Sequence, residues 1–428
     1  MRRPDPPARV GRDQGTQLEV TVPVTAARFD ALDPALLVDP YPTYARLREQ
    51  AAVCRGGPAT WVVPRWAEVA ELLRDPRLGH GFAATGESNL LRLAYSVAGG
   101  RADTALTRIV PRLPGKDHVR VRRLMAQALN PAAVRAIAAD VGTWMDRFLD
   151  DAVQRGGFDA MTDLALPLQT AVACELLSAP AADRPDIVRR AIDVGRAFIL
   201  IPYVAEGGIA AQHEAIGWLR DYVAELVAAR RRVPGDDLIS RLTRVRHQGT
   251  VLSDDEIVDN AVFLLFAGFE TTIHLVAGGC AALAGHPDAW RQLSGRPQLA
   301  ANAVEELLRY DAPIQWVARL TSAPVQIADR TIRKDRAVLL LLASANRDPR
   351  RFADPDRLDL TRHPNPHVSF GGGPHTCLGT VLARALGTVV FERLASRVDS
   401  LEPAGEAVLR PHFNLRGHHQ VPLAVTSR

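Results

Sequence analysis

The feature that most constrains this chain is a ten-residue stretch near its C-terminal end, Phe370-Gly371-Gly372-Gly373-Pro374-His375-Thr376-Cys377-Leu378-Gly379. A glycine-rich loop runs there into a cysteine, and a helix follows. The helix is legible from Leu378, Val381, Leu382, Leu386, Val389, Val390 and Leu394, apolar residues that recur at spacings of three and four. A cysteine in front of the unpaired N–H groups of a helix start is suited to carry charge as a thiolate, because those groups stabilise an anion. Glycine lets the backbone close around the sulfur and around a flat ligand. Phe370 would shield the sulfur from water. Taken alone, the same string also reads as a glycine turn with an incidental buried thiol.

The remainder of the chain leaves room for a large ordered domain. Hydrophobic residues make up 47% and charged residues 23% of the 428, enough for a filled core and too apolar for wholesale disorder. A net charge of +4, with no basic cluster interleaved with aromatics, argues against nucleic-acid binding. Lysine occurs only at Lys116 and Lys334, so cationic contacts fall to arginine. Cys54, Cys174 and Cys280 lie far apart among apolar or small residues and read as plain thiols, without a disulfide framework. The N-terminal stretch is polar and proline-rich with no apolar run behind it, and the longest apolar runs, near 261–269 and 337–343, fall short of a membrane span. The expectation is a cytoplasmic protein with no membrane segment.

Residues 1–22 read as a flexible tail and 23–428 as one large domain, mainly α with a minor β portion. Helical spacing predicts helices over 39–50, 66–74, 118–129, 134–153, 163–177, 184–195, 210–231, 254–284, 298–310 and 378–396. Strands are predicted at 61–64, 315–321, 324–328 and 337–342. Residues 81–113 carry little periodicity beyond a helical turn around 89–97, and a loop of that length is usually functional. Ser253-Asp254-Asp255-Glu256 has the capping-box pattern and opens the 254–284 helix. Mid-way along that helix, Ala267-Gly268-Phe269-Glu270-Thr271-Thr272 combines a glycine with hydroxyls, which can open the i→i−4 ladder and admit water. Glu306 and Arg309 share one helix face at i, i+3, by itself the pattern of a surface ion pair.

The cysteine loop agrees with F-G-x-G-x-H-x-C-x-G at every position, and A-G-x-D/E-T and E-x-x-R precede it in order. In these motifs the chain resembles the cytochrome P-450 family. Ala345-Asn346-Arg347-Asp348-Pro349 and Phe352-Ala353-Asp354-Pro355 are similar to further family segments, so the resemblance runs from about residue 30 to the C-terminus. It departs mildly at 111–117 and at Arg333-Lys334-Asp335.

The resemblance implies haem b with Cys377 as axial thiolate and metal ligand, cradled by Phe370, Gly371, Gly373 and Gly379. It implies that His118 and Arg122, Arg319 and His375 bind the haem propionates, and that Ala267 and Gly268 cross the oxygen-binding face. Glu270 and Thr271 would be the catalytic proton relay. Glu306 and Arg309 would be buried and joined by Arg362, a structural cluster near the haem. By family position Leu90, Leu91, Phe266, Ile314, Val317 and Phe413 would line the substrate pocket. That lining suits a medium-to-large hydrophobic molecule, a natural-product intermediate such as a polyketide or macrolide. The implied reaction inserts one oxygen atom of O2 into a C–H bond, as hydroxylation or epoxidation. Electrons would come from NAD(P)H through a ferredoxin reductase and a ferredoxin, docking where Arg120, Arg123 and Arg384 are exposed. Three alternatives stay open: a peroxide-driven enzyme, an oxidative-coupling catalyst on the same scaffold, and a non-catalytic haem carrier or sensor.

Overall fold

The computed structural model describes residues 28–31, 33–57, 60–79, 106–199, 208–412 and 414–428. The tail assigned to 1–22, most of the 81–113 loop, and the pocket candidates Leu90, Leu91 and Phe413 lie outside the described residues.

A helix from Asp254 to Ala284 is the axis of the fold. Both halves of its capping box form: Glu256 N–H donates to Ser253 Oγ at 3.2 Å, and Ser253 N–H to Glu256 Oε2 at 2.9 Å. Asp254, Asp255 and Glu256 also place negative charge on the positive end of the helix dipole. Beyond the first turn it is apolar on nearly every side, the mark of a helix surrounded by protein. Among the described residues it is the one helix long and apolar enough to cross a membrane, and 67% of its apolar window is buried in the core.

The helices Gly208–Arg232, Arg184–Ile199, Leu166–Leu177, Ala300–Tyr310 and Thr380–Arg397 pack around it. Close approach to the Thr380–Arg397 helix depends on Gly279, where a Cβ would strike the Phe391 ring. One helical prediction divides and two further helices appear. The segment expected at 163–177 divides into a π turn over Ala160–Ala165 and a helix over Leu166–Leu177, with Pro167 lacking an N–H at the junction. Leu238–Arg244 is a further helix, started by Asp237, whose carboxylate accepts from Ser240 N–H at 2.7 Å. Pro287–Gly295 is another that the sequence reading did not assign.

The minor β portion is mostly one five-stranded sheet in the order Cys54–Gly57, Thr60–Val63, Ala337–Leu340, Val317–Thr321, Leu78–Gly79. Arg319 stands opposite Val338 in the antiparallel pair, so its position is set by the middle of a ladder. A second sheet joins Gly157–Asp159, Pro422–Ser427 and Val398–Pro403. Val408–Leu409 pairs with His418–Gln420 as a short hairpin.

Candidate active site

The cysteine loop takes its shape from two glycines. Gly371 and Gly373 have φ of +70° and +63°, a region that favours glycine. A side chain at Gly373 would also collide with the backbone of Leu73 and Arg74, at 2.7 and 2.9 Å. The turn closes when Cys377 N–H donates to the Phe370 carbonyl at 2.8 Å. Gly379 is under no such demand, since a Cβ there would sit 3.8 Å from Cys377 Sγ, an ordinary contact. Phe370 lies between the Arg384 guanidinium, 4.9 Å from its centroid, and the His367 ring at 6.0 Å.

Cys377 presents its surface to an internal cavity of about 330 Å³. It is thus accessible yet deep in the fold. Burial pushes its thiol up in pKa, and the Gly379 N–H, the Thr380 hydroxyl, Arg122 and Arg384 offset only part of that. The expected lowering by the helix start therefore does not prevail, because the helix begins three residues later, at Thr380. A metal cation at the sulfur would supply the missing stabilisation. The other cysteines are buried free thiols, with Cys54 and Cys280 pushed up by burial to about 11 and about 12.

The Asp254–Ala284 helix borders the same cavity through Ala267, Gly268 and Thr271. Its ladder does not open there. The helix is continuous, and Thr271 Oγ1 donates back to the Ala267 carbonyl at 2.9 Å. Glu270 turns away from the cavity toward Arg410 and His274. Burial raises its carboxyl, but the His274 and Arg410 contacts outweigh that and hold it down at about 2. Phe266 is buried behind the lining, edge-on to Phe263, whereas Ile314 and Val317 do line the cavity.

One rim gathers two arginines and two histidines. Arg122 donates to the Thr376 carbonyl, and His118, one helical turn before it, sets its ring 4.4 Å from that of His375, tilted by 46°. Arg319 is buried with a bond to the Ala318 carbonyl, and burial alone brings its pKa down to about 10. His375 is held near 4 by burial and by His118, Arg319 and Arg122. His118 Nε2 is buried without a hydrogen-bond partner. These groups converge with no carboxylate among the causes of their shifts, an arrangement that asks for an anionic ligand. A haem, with one thiolate-bound metal and two carboxylates on one edge, fits both the sulfur and this rim. Among the described residues no group of three or more His, Cys, Asp or Glu could hold a metal by themselves.

Glu306, Arg309 and Arg362 come together largely away from solvent. Of the arginines expected to be exposed on the docking face, Arg123 and Arg384 are exposed and Arg120 is half-buried. Arg120 is paired with Glu256, and Arg384 holds Glu305 by two bonds of 2.6 and 2.7 Å, so their charges are engaged within the chain. Arg123 is exposed, with His247 as its neighbour at 2.8 Å. Arg410 and His274 were not singled out from the sequence; His274 follows Glu270 by four residues on the same predicted helix, a spacing that could have marked it, whereas nothing local marks Arg410.

Known proteins agree with this geometry. A family described as Cytochrome P-450 matches residues 296–406. A luteothin monooxygenase of Streptomyces thioluteus is 33% identical over 92% of this chain and 95% of its own length. A 20-oxo-5-O-mycaminosyltylactone 23-monooxygenase of Streptomyces fradiae is 33% identical over 89% of this chain and 88% of its own. The crystal structure of CalO2 superposes with a TM-score of 0.84 at 34% identity, over 94% of this chain and 99% of that one. With the thiol, the cationic rim and full-length relatives in agreement, this chain belongs to the cytochrome P-450 family of haem-thiolate monooxygenases.

Proposed function

We propose that the protein hydroxylates or epoxidises a medium-to-large hydrophobic natural-product intermediate, of polyketide or macrolide type, in the cytoplasm. The observation that carries this reading is one predominantly apolar cavity bordered by Cys377, by Gly268 and Thr271, and by Ile314 and Val317. Relatives whose names cite luteothin and a mycaminosyltylactone support the substrate class.

The group held at Cys377 is haem b, with Arg122, Arg319, His118 and His375 as the residues that neutralise its carboxylates. When bound it supplies reductive activation of dioxygen, and the thiolate's electron donation favours O–O cleavage. The chain's share is to position and to exclude water. Ile314 and Val317 orient an apolar guest by burying its surface. Thr271 presents a hydroxyl at the cavity wall, and Glu270, its neighbour on the same turn, would resupply it with a proton once its carboxylate leaves Arg410, turns toward the cavity and is protonated. The same pair favours the reductive route over a peroxide-driven one, which has no need of proton delivery.

Electrons come from NAD(P)H through a ferredoxin reductase and a ferredoxin, with the exposed Arg123 at the docking face. The test is the difference spectrum of the reduced protein with carbon monoxide. The reading requires a strongly red-shifted Soret band that disappears in Cys377→Ser. A histidine-type band, or a folded protein that takes up no haem, would overturn it.

A further inference from the structure

Glu270 is held from outside its own helix. Arg410 Nη1 donates to Glu270 Oε2 and also lies 2.8 Å from His274 Nε2. An arginine N–H only donates, so His274 Nε2 accepts and the ring proton sits on Nδ1. The 3.4 Å approach of His274 Nε2 to Glu270 is then not a hydrogen bond, because that nitrogen carries no hydrogen. In this tautomer the hydrogen bond on the acid is Arg410's, and His274 adds to the hold only in the tautomer that carries a proton on Nε2. The other titratable groups around this pair are His412, His418 and His419, all on the same C-terminal segment.

Arg410 follows the Val408–Leu409 strand, and its N–H donates to the Gly417 carbonyl at 2.9 Å. The hairpin backbone lies directly on the His274 imidazole, since a Cβ at Gly417 would collide with that ring at 2.0 Å. The turn between these points is tied to the cavity wall. Asn414 accepts from Gln315 N–H at 2.8 Å and, through Oδ1, from Trp316 N–H at 3.1 Å. Leu415 bridges Ile314, and Arg416 N–H donates to the Pro313 carbonyl at 2.8 Å. Pro313, Ile314 and Val317 line the cavity. One short stretch of chain therefore joins the wall that a guest touches to the cation that holds the acid.

We propose that Arg410 is a positioning residue for Glu270, holding its carboxylate off the cavity until an occupant pressing on Pro313–Val317 withdraws the guanidinium through Asn414–Gly417, whose last carbonyl accepts from the Arg410 N–H. This rests on the reading of Glu270 as the relay acid. A buried carboxylate that loses its cation favours its protonated form, so filling the cavity draws a proton from solvent onto Glu270.

The test uses the haem-loaded protein and 1-phenylimidazole as occupant, titrated calorimetrically in buffers of different ionisation enthalpy. The wild type takes up on the order of half a proton per site more than Glu270→Gln. Arg410→Gln loses this uptake, Arg410→Lys keeps most of it, and every variant retains the thiolate carbon monoxide band. Equal proton counts in wild type and Glu270→Gln overturn the proposal. The relay reading is checked separately, by the solvent isotope effect on NADH oxidation through a plant-type ferredoxin and its reductase. If Glu270→Gln changes that effect while proton uptake stays unlinked to Arg410, only the proposal about Arg410 falls. If Glu270→Gln leaves it unchanged, the relay reading falls and takes the proposal with it.

Discussion

Arg362 closes on both oxygens of Glu306, at 3.2 Å each. Arg309 reaches the same carboxylate from its own helix at 2.7 and 2.8 Å, and Asp359 N–H and Asn365 Nδ2 complete its shell at 2.9 and 3.1 Å. Glu306 and Arg309 are fully buried. Arg309 also clamps the irregular run before the cysteine loop through the carbonyls of Asn346, Pro355 and Arg357. Glu306→Ala would leave two guanidinium groups without their anion, one of them fully buried, which costs about 3–5 kcal/mol. Urea unfolding should show that loss together with reduced haem content. A cost below about 1 kcal/mol would mean that desolvation of the pair cancels its bonds.

Arg319 predicts a conflict between stability and cofactor retention. Its pKa falls to about 10 through burial, with no carboxylate to offset it. A buried cation with a lowered folded-state pKa destabilises the fold at neutral pH, here by roughly 3 kcal/mol at about 1.4 kcal/mol per unit. Arg319→Met should therefore raise the melting temperature of the haem-free protein. The same change should speed haem transfer to a scavenger such as apomyoglobin. A haem-free variant that melts lower than wild type would show that Arg319 is satisfied without an anionic ligand.

What could be read from the sequence was what lies close along it. The glycine loop into Cys377 and both halves of the Ser253–Glu256 box are local, and each appears where its residues predict. The Glu306–Arg309 spacing is local too, but its burial is not, since only tertiary packing separates that pair from a surface ion pair. Arg410 lies 140 residues beyond Glu270, and the Gly157–Asp159 strand pairs with Pro422–Ser427 far along the chain. No periodicity encodes such meetings. The expected solvent-facing charge of Arg120 failed for the same reason. Its partner Glu256, which also serves as a cap, is brought in by another helix.

Arg123 separates electrostatic docking from internal pairing. Its side chain is exposed beside His247, whereas Arg120 is bound to Glu256. Arg123→Glu should slow reduction by a plant-type ferredoxin about tenfold at low ionic strength, with the gap closing as salt is added. The affinity for 1-phenylimidazole should not change. Arg120→Glu should instead lower the melting temperature, because it sets two acids against each other at a helix start. Unchanged reduction of Arg123→Glu at low salt would place the docking face elsewhere.

His412 predicts a specific part of the pH profile. Its Nδ1 accepts from Asn414 N–H at 3.2 Å and from Leu415 N–H at 2.9 Å, so its proton sits on Nε2, which is buried without a partner. A second proton would have to enter at Nδ1 and break both bonds. Burial first, then the Arg410 charge, hold its pKa down at about 4. For a base depressed on folding, the unfolded chain binds the proton first. Stability is therefore intact above the ordinary histidine value near 6.5, declines as pH falls from there, and levels off below about 4. The carboxyl of Glu270, held at about 2, acts in the lower window, from its ordinary value near 4.5 downward. His412→Asn supplies an oxygen where Nδ1 accepts, the geometry of an Asx turn, and does not titrate. It should match the wild type within about 1 kcal/mol at pH 7.5 and lose less stability by pH 4.5, by up to roughly 3 kcal/mol. Urea unfolding at a series of pH values measures both. Parallel curves for the two proteins between pH 7 and 4.5 would show that folding leaves the proton affinity of His412 unchanged.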